Sequence, residues 1–450
     1  MSKNVSDLNY SDEASTPGPS PSDLNAFIYL DPKYVAHTQR PQGVGGGRPP
    51  LDGFTLAIKD NIAVAGMPCT VGTPILRGYT PILDAPAVSR LRAAGAYIAG
   101  KANLHELAYG ITSNNRAFGA VRNAHDVRYF AGGSSGGTAA AIACGAVRAG
   151  LGTDTGGSSR IPAALNGIVG VRPSVGRYPM AGVARISHTR DVIGPMASNV
   201  SDAALLDAVI ADCADAQLDK INIHGLRIGL PREHFQESLH KDVADVFNRT
   251  LAILRHAGVV FVETDLIEIA SLNAAVSFPV VLFETKMALE GFLKETGLHI
   301  TIEQLYDAIA SPDVKELVGL AIHGHVPDSQ YRRALLEHRP LLQKLYSEYF
   351  EKQGVEAVLF PTTPLPACLV EGSDDTVPLN GARVPTFATF TRNTDPGSNA
   401  GIPGISLPAG FSSEKLPIGI ELDGPVGTDR RLLAIAGAVE AVLKPNTIDS

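Results

Sequence analysis

Ala131-Gly132-Gly133-Ser134-Ser135-Gly136-Gly137-Thr138, then a run of small residues, then Gly152-Thr153-Asp154-Thr155-Gly156-Gly157-Ser158-Ser159-Arg160, form the stretch on which the chain turns. Two glycine-flanked serines, Ser134 and Ser158, stand 24 positions apart in it. Glycine beside a serine opens backbone conformations closed to other residues and lets a substrate come close. Between the serines, Ala139-Ala140-Ala141-Ile142-Ala143-Cys144 favours helix and carries no charge. That predicts a helix over 136–149, buried on all sides and ended by Gly150. Residues 151–154 read as a short strand. Residues 158–165 read as a turn into a helix, with Pro162 tolerable in its first turn.

Outward from this stretch, apolar periodicity alternates between strand and helix. Phe54-Thr55-Leu56-Ala57-Ile58 is a β-prone run that ends in Lys59-Asp60-Asn61. A helix is expected over 84–94, a strand over 96–99 and a helix-like piece over 104–110. Ser201-Asp202 is expected to cap a helix over 203–213. Strands over 226–230 and 259–262 flank a helix over 242–257. Further strands are expected over 355–360 and 418–422, and a last amphipathic helix over 429–443. The alternation argues for an α/β layered sheet. Residues 271–353 break it with helical segments at 274–295, 301–309, 314–323 and 329–353. Such an excursion fits a cap over a site or simply more core. Residues 1–24 are rich in Ser, Asp and Pro and are expected to be a disordered tail. Residues 24–38 are expected to include a short helix, and 43–50 a Gly/Pro linker.

Composition limits the function classes. The chain has 450 residues, 44% apolar and 19% charged, the profile of a globular protein with a sizeable core. A net charge of −8 with no Lys/Arg-rich run argues against nucleic-acid or membrane-surface binding. The four cysteines are widely spaced, with no CxxC pair and no histidine cluster, so no metal site is expected. Free thiols suit a reducing cytoplasm. No apolar run approaches the ~20 residues of a membrane span, and no signal peptide opens the chain. A cytoplasmic protein is expected.

A serine needs a base beside it to act as a nucleophile. No histidine stands in a recognisable triad context. Gly132-Gly133-Ser134-Ser135-Gly136 fits the G-x-S-x-G elbow, but the elbow requires a strand directly before it, and Arg128-Tyr129-Phe130-Ala131 reads as loop. A lysine can serve instead if burial depresses its pKa. Lys59 ends a buried-looking strand among Ala57, Ile58, Ile62 and Ala63, although an ordinary surface charge is the default for any single lysine. The Gly-rich turns could also bind an anion at a helix start, but no GxxxxGK[ST] is present.

Taken together, Ala57-Ile58-Lys59-Asp60-Asn61, the 131–137 run, Gly152 to Ala163, Pro195-Met196 and Phe360-Pro361-Thr362-Thr363-Pro364 resemble the amidase signature family. The resemblance runs from about residue 24 to the C-terminus. It implies one large α/β domain over 25–450, with a central mixed twisted sheet covered by helices on both faces. It also implies a Ser-Ser-Lys triad without cofactor or metal. Ser158 would be the nucleophile, Ser134, following a cis peptide bond at Gly133, the relay, and Lys59 the base. The amides of Thr155, Gly156, Gly157 and Ser158 would form the oxyanion hole. Ser135 belongs to the same motif. Thr153 and Asp154 would hold the nucleophile loop, and Arg160 and Asp191 would pair beneath the site.

Ser187-His188-Thr189-Arg190-Asp191 and the segment Asn393 to Gly404 resemble the mandelamide and indoleacetamide hydrolase branch. That implies an aryl-substituted or arylalkyl amide as substrate, with 271–353 shaping the pocket. A carbamate hydrolase (urethanase) or aryl-amide/ester hydrolase with the same triad, and an amidotransferase A subunit, are the alternatives. Members of the branch open with two further helices where this chain has a polar tail, which bears on a possible homodimer. The expected partner is a small amide or carbamate, with no nucleic acid or membrane.

Overall fold

Among the described residues, eleven strands join in one mixed sheet. The structure is a computed structural model and describes residues 18–34, 49–214, 216–324 and 326–447. In chain order the described strands are β1 (Phe27–Leu30), β2 (Thr55–Lys59), β3 (Tyr97–Ala102), β4 (Asn114–Asn115), β5 (Gly119–Ala120), β6 (Ala149–Asp154), β7 (Val169–Arg172) and β8 (Val192–Ala197). They continue with β9 (Arg227–Gly229), β10 (Val260–Val262), β11 (Ala357–Pro361), β12 (Thr376–Leu379), β13 (Ala382–Pro385), β14 (Gly404–Phe411) and β15 (Pro417–Asp423). The main sheet has the order β1-β3-β2-β6-β8-β7-β14-β15-β11-β9-β10. β4 with β5, and β12 with β13, are separate small hairpins.

Strands β6, β8, β11 and β15 are buried along their whole length, as strands covered on both faces must be. Side-chain alternation shows how the layers form. Leu56 and Ile58 of β2 join the large apolar cluster that takes in Val88 and Leu91 of the helix Pro86–Ala93 and Ala203 and Leu206 of the helix Val200–Ile210. Ala57, between them, joins Ala139, Ala140 and Ala141 of the helix Gly136–Ala143 on the opposite face. This is the α/β architecture read from the alternation. The helix Lys241–His256 shows the energetics in small. It buries Val243, Val246, Phe247, Leu251 and Leu254, each contributing roughly 1.5–3 kcal/mol, against which its intrinsic propensity is a minor effect.

The second layer packs on the sheet through small contact residues. A Cβ on Gly150 would lie 2.4 Å from the Ala57 carbonyl oxygen and 2.6 Å from Thr138 Cγ2. Gly150 is therefore a packing glycine within β6. The helix ends earlier than expected, at Ala143, and Gly145 takes the left-handed turn at φ 74°.

Other expectations are corrected by local competition. Residues 24–34 hold no α-helix over more than one residue: Phe27–Leu30 is a strand that pairs antiparallel with β3. Leu24, placed in the polar tail, is fully buried, while residues 1–17 and 35–48 lie outside the described residues. The helix Val200–Ile210 starts before Ser201 because Asn199 accepts the Asp202 amide and so serves as its cap.

The excursion comprises helices Ile269–Thr296, Ile302–Ala308, Pro312–Ile322, Asp328–Arg333 and Arg339–Gln353, with a π-turn at Ala334–His338 joining the last two. The first is 28 residues long and by length and composition could cross a membrane, contrary to the expectation of no such run. Here it is a wall: Glu284, in its second half, is fully buried and hydrogen-bonded to the 187–189 loop.

Candidate active site

Parallel pairing brings the lysine to the serines. β2 and β6 run side by side with Ile58 opposite Leu151, so Lys59 and Thr153 emerge together at the carboxyl ends of the two strands. Ligand sites of open α/β sheets lie at that edge. Lys59 is fully buried. Its Nζ donates to Ser134 Oγ at 2.7 Å and to Thr153 Oγ1 at 2.8 Å. Asn61 Nδ2 also donates to Thr153 Oγ1, at 3.1 Å. Thr153 thus holds the lysine rather than the loop. Burial lowers the Lys59 pKa to about 7, against the opposing pull of Asp154 and Asp191. An amine of that pKa can be neutral at physiological pH and can take up a proton.

The two serine motifs are stitched together. The Ser135 amide donates to the Ser158 carbonyl at 3.1 Å. The Thr153 amide donates to Ser135 Oγ at 3.3 Å. Ser134 follows a cis peptide bond from Gly133, and its carbonyl accepts the His105 amide at 3.1 Å. Arg128 to Ala131, read as loop, hold only isolated bridges at Tyr129 and Phe130 and no strand of the kind a nucleophile elbow needs. Ser158 is 8% exposed and opens onto a cavity.

Asp154 organises the turn between them. Its carboxylate accepts the amides of Gly157 at 3.0 Å and Ser159 at 3.1 Å. It is also bound by Arg160 at 3.0 Å and Arg172 at 2.9 Å. Burial alone would raise its pKa, but the two guanidiniums and the hydrogen bonds outweigh it and hold the carboxyl well below the usual range. Gly157 adopts φ 131°, and a Cβ there would lie 2.3 Å from Thr394 Oγ1, so only glycine fits. Its amide, expected in the oxyanion hole, is engaged by Asp154. That leaves Thr155, Gly156 and Ser158 as the candidate amides for an oxyanion.

Arg160 and Asp191 do not pair. Arg160 turns beneath the sheet to Asp154, Ser398 Oγ and Glu421 on β15. Asp191 instead accepts from Thr155 Oγ1 at 2.7 Å and from the Ile186 and Ser187 amides at 2.7 and 3.2 Å. Burial raises its pKa. Both residues still support the loop, from opposite sides.

Several residues around the cavity had no assigned role in the sequence. Thr394 Oγ1 donates to the Gly156 carbonyl at 2.6 Å. Arg190 donates to the Thr155 carbonyl at 3.1 Å and pairs with Asp395 at 2.5 Å. Arg190 and Thr394 lie in the two segments that mark the hydrolase branch, which was the available signal. Glu284 had none: a glutamate in an apolar helix reads as solvated until its partners are seen. It accepts from Ser187 Oγ, from the Thr189 amide and hydroxyl, and from Tyr331 OH at 2.9 Å.

The cavity measures about 300 Å³. Tyr109, Ile111, Ile186, Phe278, Val281 and Phe387 give it an apolar lining, and the rings of Phe278 and Phe387 stand 6.3 Å apart. Phe278 and Val281 come from the helix Ile269–Thr296, so the excursion does form part of the pocket. One histidine, His234, lines the cavity, with its Nε2 on the Arg392 carbonyl at 2.9 Å.

The family model for amidases matches residues 21–433. The chain is 43% identical over 394 residues to an indoleacetamide hydrolase of Agrobacterium vitis, covering 87% of this chain and 84% of the relative. It is 38% identical over 447 residues to a mandelamide hydrolase of Pseudomonas putida, covering 94% and 85%. A crystal structure of an amidase superposes with a TM-score of 0.80 at 34% identity, covering 94% of this chain and 93% of that one. The chain therefore belongs to the amidase signature family and is an amidase.

Proposed function

We propose that the protein hydrolyses the C–N bond of an arylalkyl or aryl-substituted carboxamide through an acyl-enzyme on Ser158. The contact between Lys59 Nζ and Ser134 Oγ, in a site that lowers the lysine pKa to about 7, carries this reading. In the first step Ser158 Oγ bonds to the carbonyl carbon. Its proton passes to Ser134 Oγ, and the Ser134 proton passes to neutral Lys59. The amides of Thr155, Gly156 and Ser158 receive the oxyanion, a kind of stabilisation worth about 2.7–4 kcal/mol per donor in a dry site. The C–N bond then breaks, and the proton returns from Lys59 through Ser134 to the leaving nitrogen. Water attacks the ester along the same relay and releases the acid.

Two observations support the aryl preference. The lining around Ser158 is apolar and aromatic, of a size for one ring system. Both relatives described above are named for amides with an aryl group. The test is ammonia release from phenylacetamide, mandelamide and indoleacetamide, with aliphatic amides, carbamates and esters alongside, by wild type and Ser158→Ala. Turnover of the aryl amides that vanishes in Ser158→Ala is expected. Exclusive turnover of carbamates or esters would overturn the substrate assignment.

A further inference from the structure

Two arginines and one carboxylate line the cavity: Arg190, Arg392 and Asp395. Arg190 and Asp395 neutralise each other at 2.5 Å. The second oxygen of Asp395 is taken by Asn273 at 2.9 Å and Asn399 at 3.1 Å. Arg392 has no such partner among the described residues. Its Nε donates to Asn393 Oδ1 at 3.1 Å, and its buried Nη2 makes no hydrogen bond. Burial lowers its pKa, and the one carboxylate that pulls against this, Glu237, is on the exposed surface. His234, packed beside it, is also pushed down by burial, with the Arg392 charge adding to the effect. The histidine, neutral or cationic, can supply no counter-charge to Arg392.

A half-buried guanidinium with no carboxylate in direct contact is costly to keep unless something completes it. The remaining lining near Arg392, Phe387, Ala388 and Thr391, offers no anion. We infer that Arg392 is a specificity-determining residue that selects aryl amides carrying an anionic oxygen on the ring, away from the carboxamide. This deepens the function proposed above and rests on its placing the ring in this cavity. The guanidinium fork matches a carboxylate in geometry as well as charge. The amide end is held at Ser158 and the ring between the apolar walls, so the charged substituent is left for Arg392.

The test pairs phenylacetamide carrying a ring carboxylate with its nitro isostere, meta and para, the two being of like size but different charge. Binding is measured by calorimetry on Ser158→Ala protein, so turnover does not interfere. Hydrolysis by the Ser158 protein is measured separately. Tighter binding of a carboxylate compound is expected, with the preference over its isostere falling roughly tenfold or more in Arg392→Met. Arg392→Lys, which keeps the charge but not the fork, should retain part of it. Equal binding of all pairs, or a preference that survives in folded Arg392→Met, overturns the inference. If Arg392→Met does not fold, loss of preference in Arg392→Lys at high salt supports the inference and its persistence overturns it. Hydrolysis of both compounds with no binding preference would leave the amidase reading standing and this one refuted. Preferred binding without hydrolysis would do the reverse.

Discussion

Lys59 Nζ and Ser134 Oγ lie 2.7 Å apart although 75 positions separate them in the chain. With the lysine pKa lowered to about 7 by burial, the base is neutral above that pH and charged below it. Activity should therefore rise with pH through about 7. Lys59→Met should lose roughly a hundredfold to ten-thousandfold at pH 7.5 and lose this acid limb; a mutant that keeps the limb assigns it to another group. Stability changes too. Between about 7 and the ordinary 10.5, the unfolded chain holds the proton that the folded lysine has lost, so stability should rise with pH across that window. The full effect is on the order of 5 kcal/mol, and thermal melts of Lys59→Met should lack it.

Ser134 and Ser158 should fail differently. On the proposed mechanism Ser158→Ala removes the acyl acceptor, and turnover should fall to background. Ser134→Ala would break the proposed proton path but leave the nucleophile, so a slow acylation should persist. Intact-protein mass spectrometry with an activated aryl ester should show one acyl adduct on wild type and on Ser134→Ala. An adduct of the same mass on Ser158→Ala would move the nucleophile elsewhere.

Glu284 ties the pocket helix to the loop that carries Asp191, and Asp191 in turn holds Thr155. Glu284→Ala strands the buried donors of Ser187 and Thr189, at a cost of about 1–3 kcal/mol for each group left unsatisfied. It should also lower kcat more than it raises KM, because the oxyanion loop loses its side support. Glu284→Gln should recover part of both. A destabilised mutant with unchanged kcat would limit Glu284 to a structural role.

Glu421 and Asp423 face the underside of the nucleophile loop and both have raised pKa values. Burial is the main cause for each, opposed by Arg160, and the carboxylate of Asp423 raises Glu421 further. The folded protein thus binds a proton that the unfolded chain releases near pH 4 to 4.5. Stability from this source should be complete below about pH 4 and be lost as pH rises from there through about 6, the value for Asp423. Glu421→Gln keeps an acceptor for Arg160 and removes a charge. Its melting temperature should depend less on pH and exceed that of wild type at pH 8; an unaltered slope would refute the assignment.

The strand ends that carry the candidate site are readable in the sequence because short-range rules govern them. A β-prone run ending in lysine, and glycine on both sides of a serine, need no distant partner to be recognised. Asp154 was legible as the loop anchor for the same reason, since it bonds three and five residues ahead. The expected pairing of Arg160 with Asp191 failed because Arg160 finds Glu421, 261 positions away, across a strand crossing that periodicity cannot locate. Thr153 lies on the strand its sequence predicts, and its hydroxyl meets Lys59 because the register of β6 against β2 aims it there. The mixed apolar spacing of 24–38 suggests a short helix, but pairing with β3 makes Phe27–Leu30 a strand.

The helix Ile269–Thr296 and the residues 387–395 supply much of the pocket's inner surface, whereas the lysine and both serines lie before residue 160. Recognition and bond-breaking can therefore diverge at different rates during evolution. Exchanging the later segments between relatives should move the choice of acyl group while the early segments keep the reaction. The threads that cross between them, among them Glu284 to Thr189, Arg190 to Asp395 and Thr394 to Gly156, need to be inherited as matched sets.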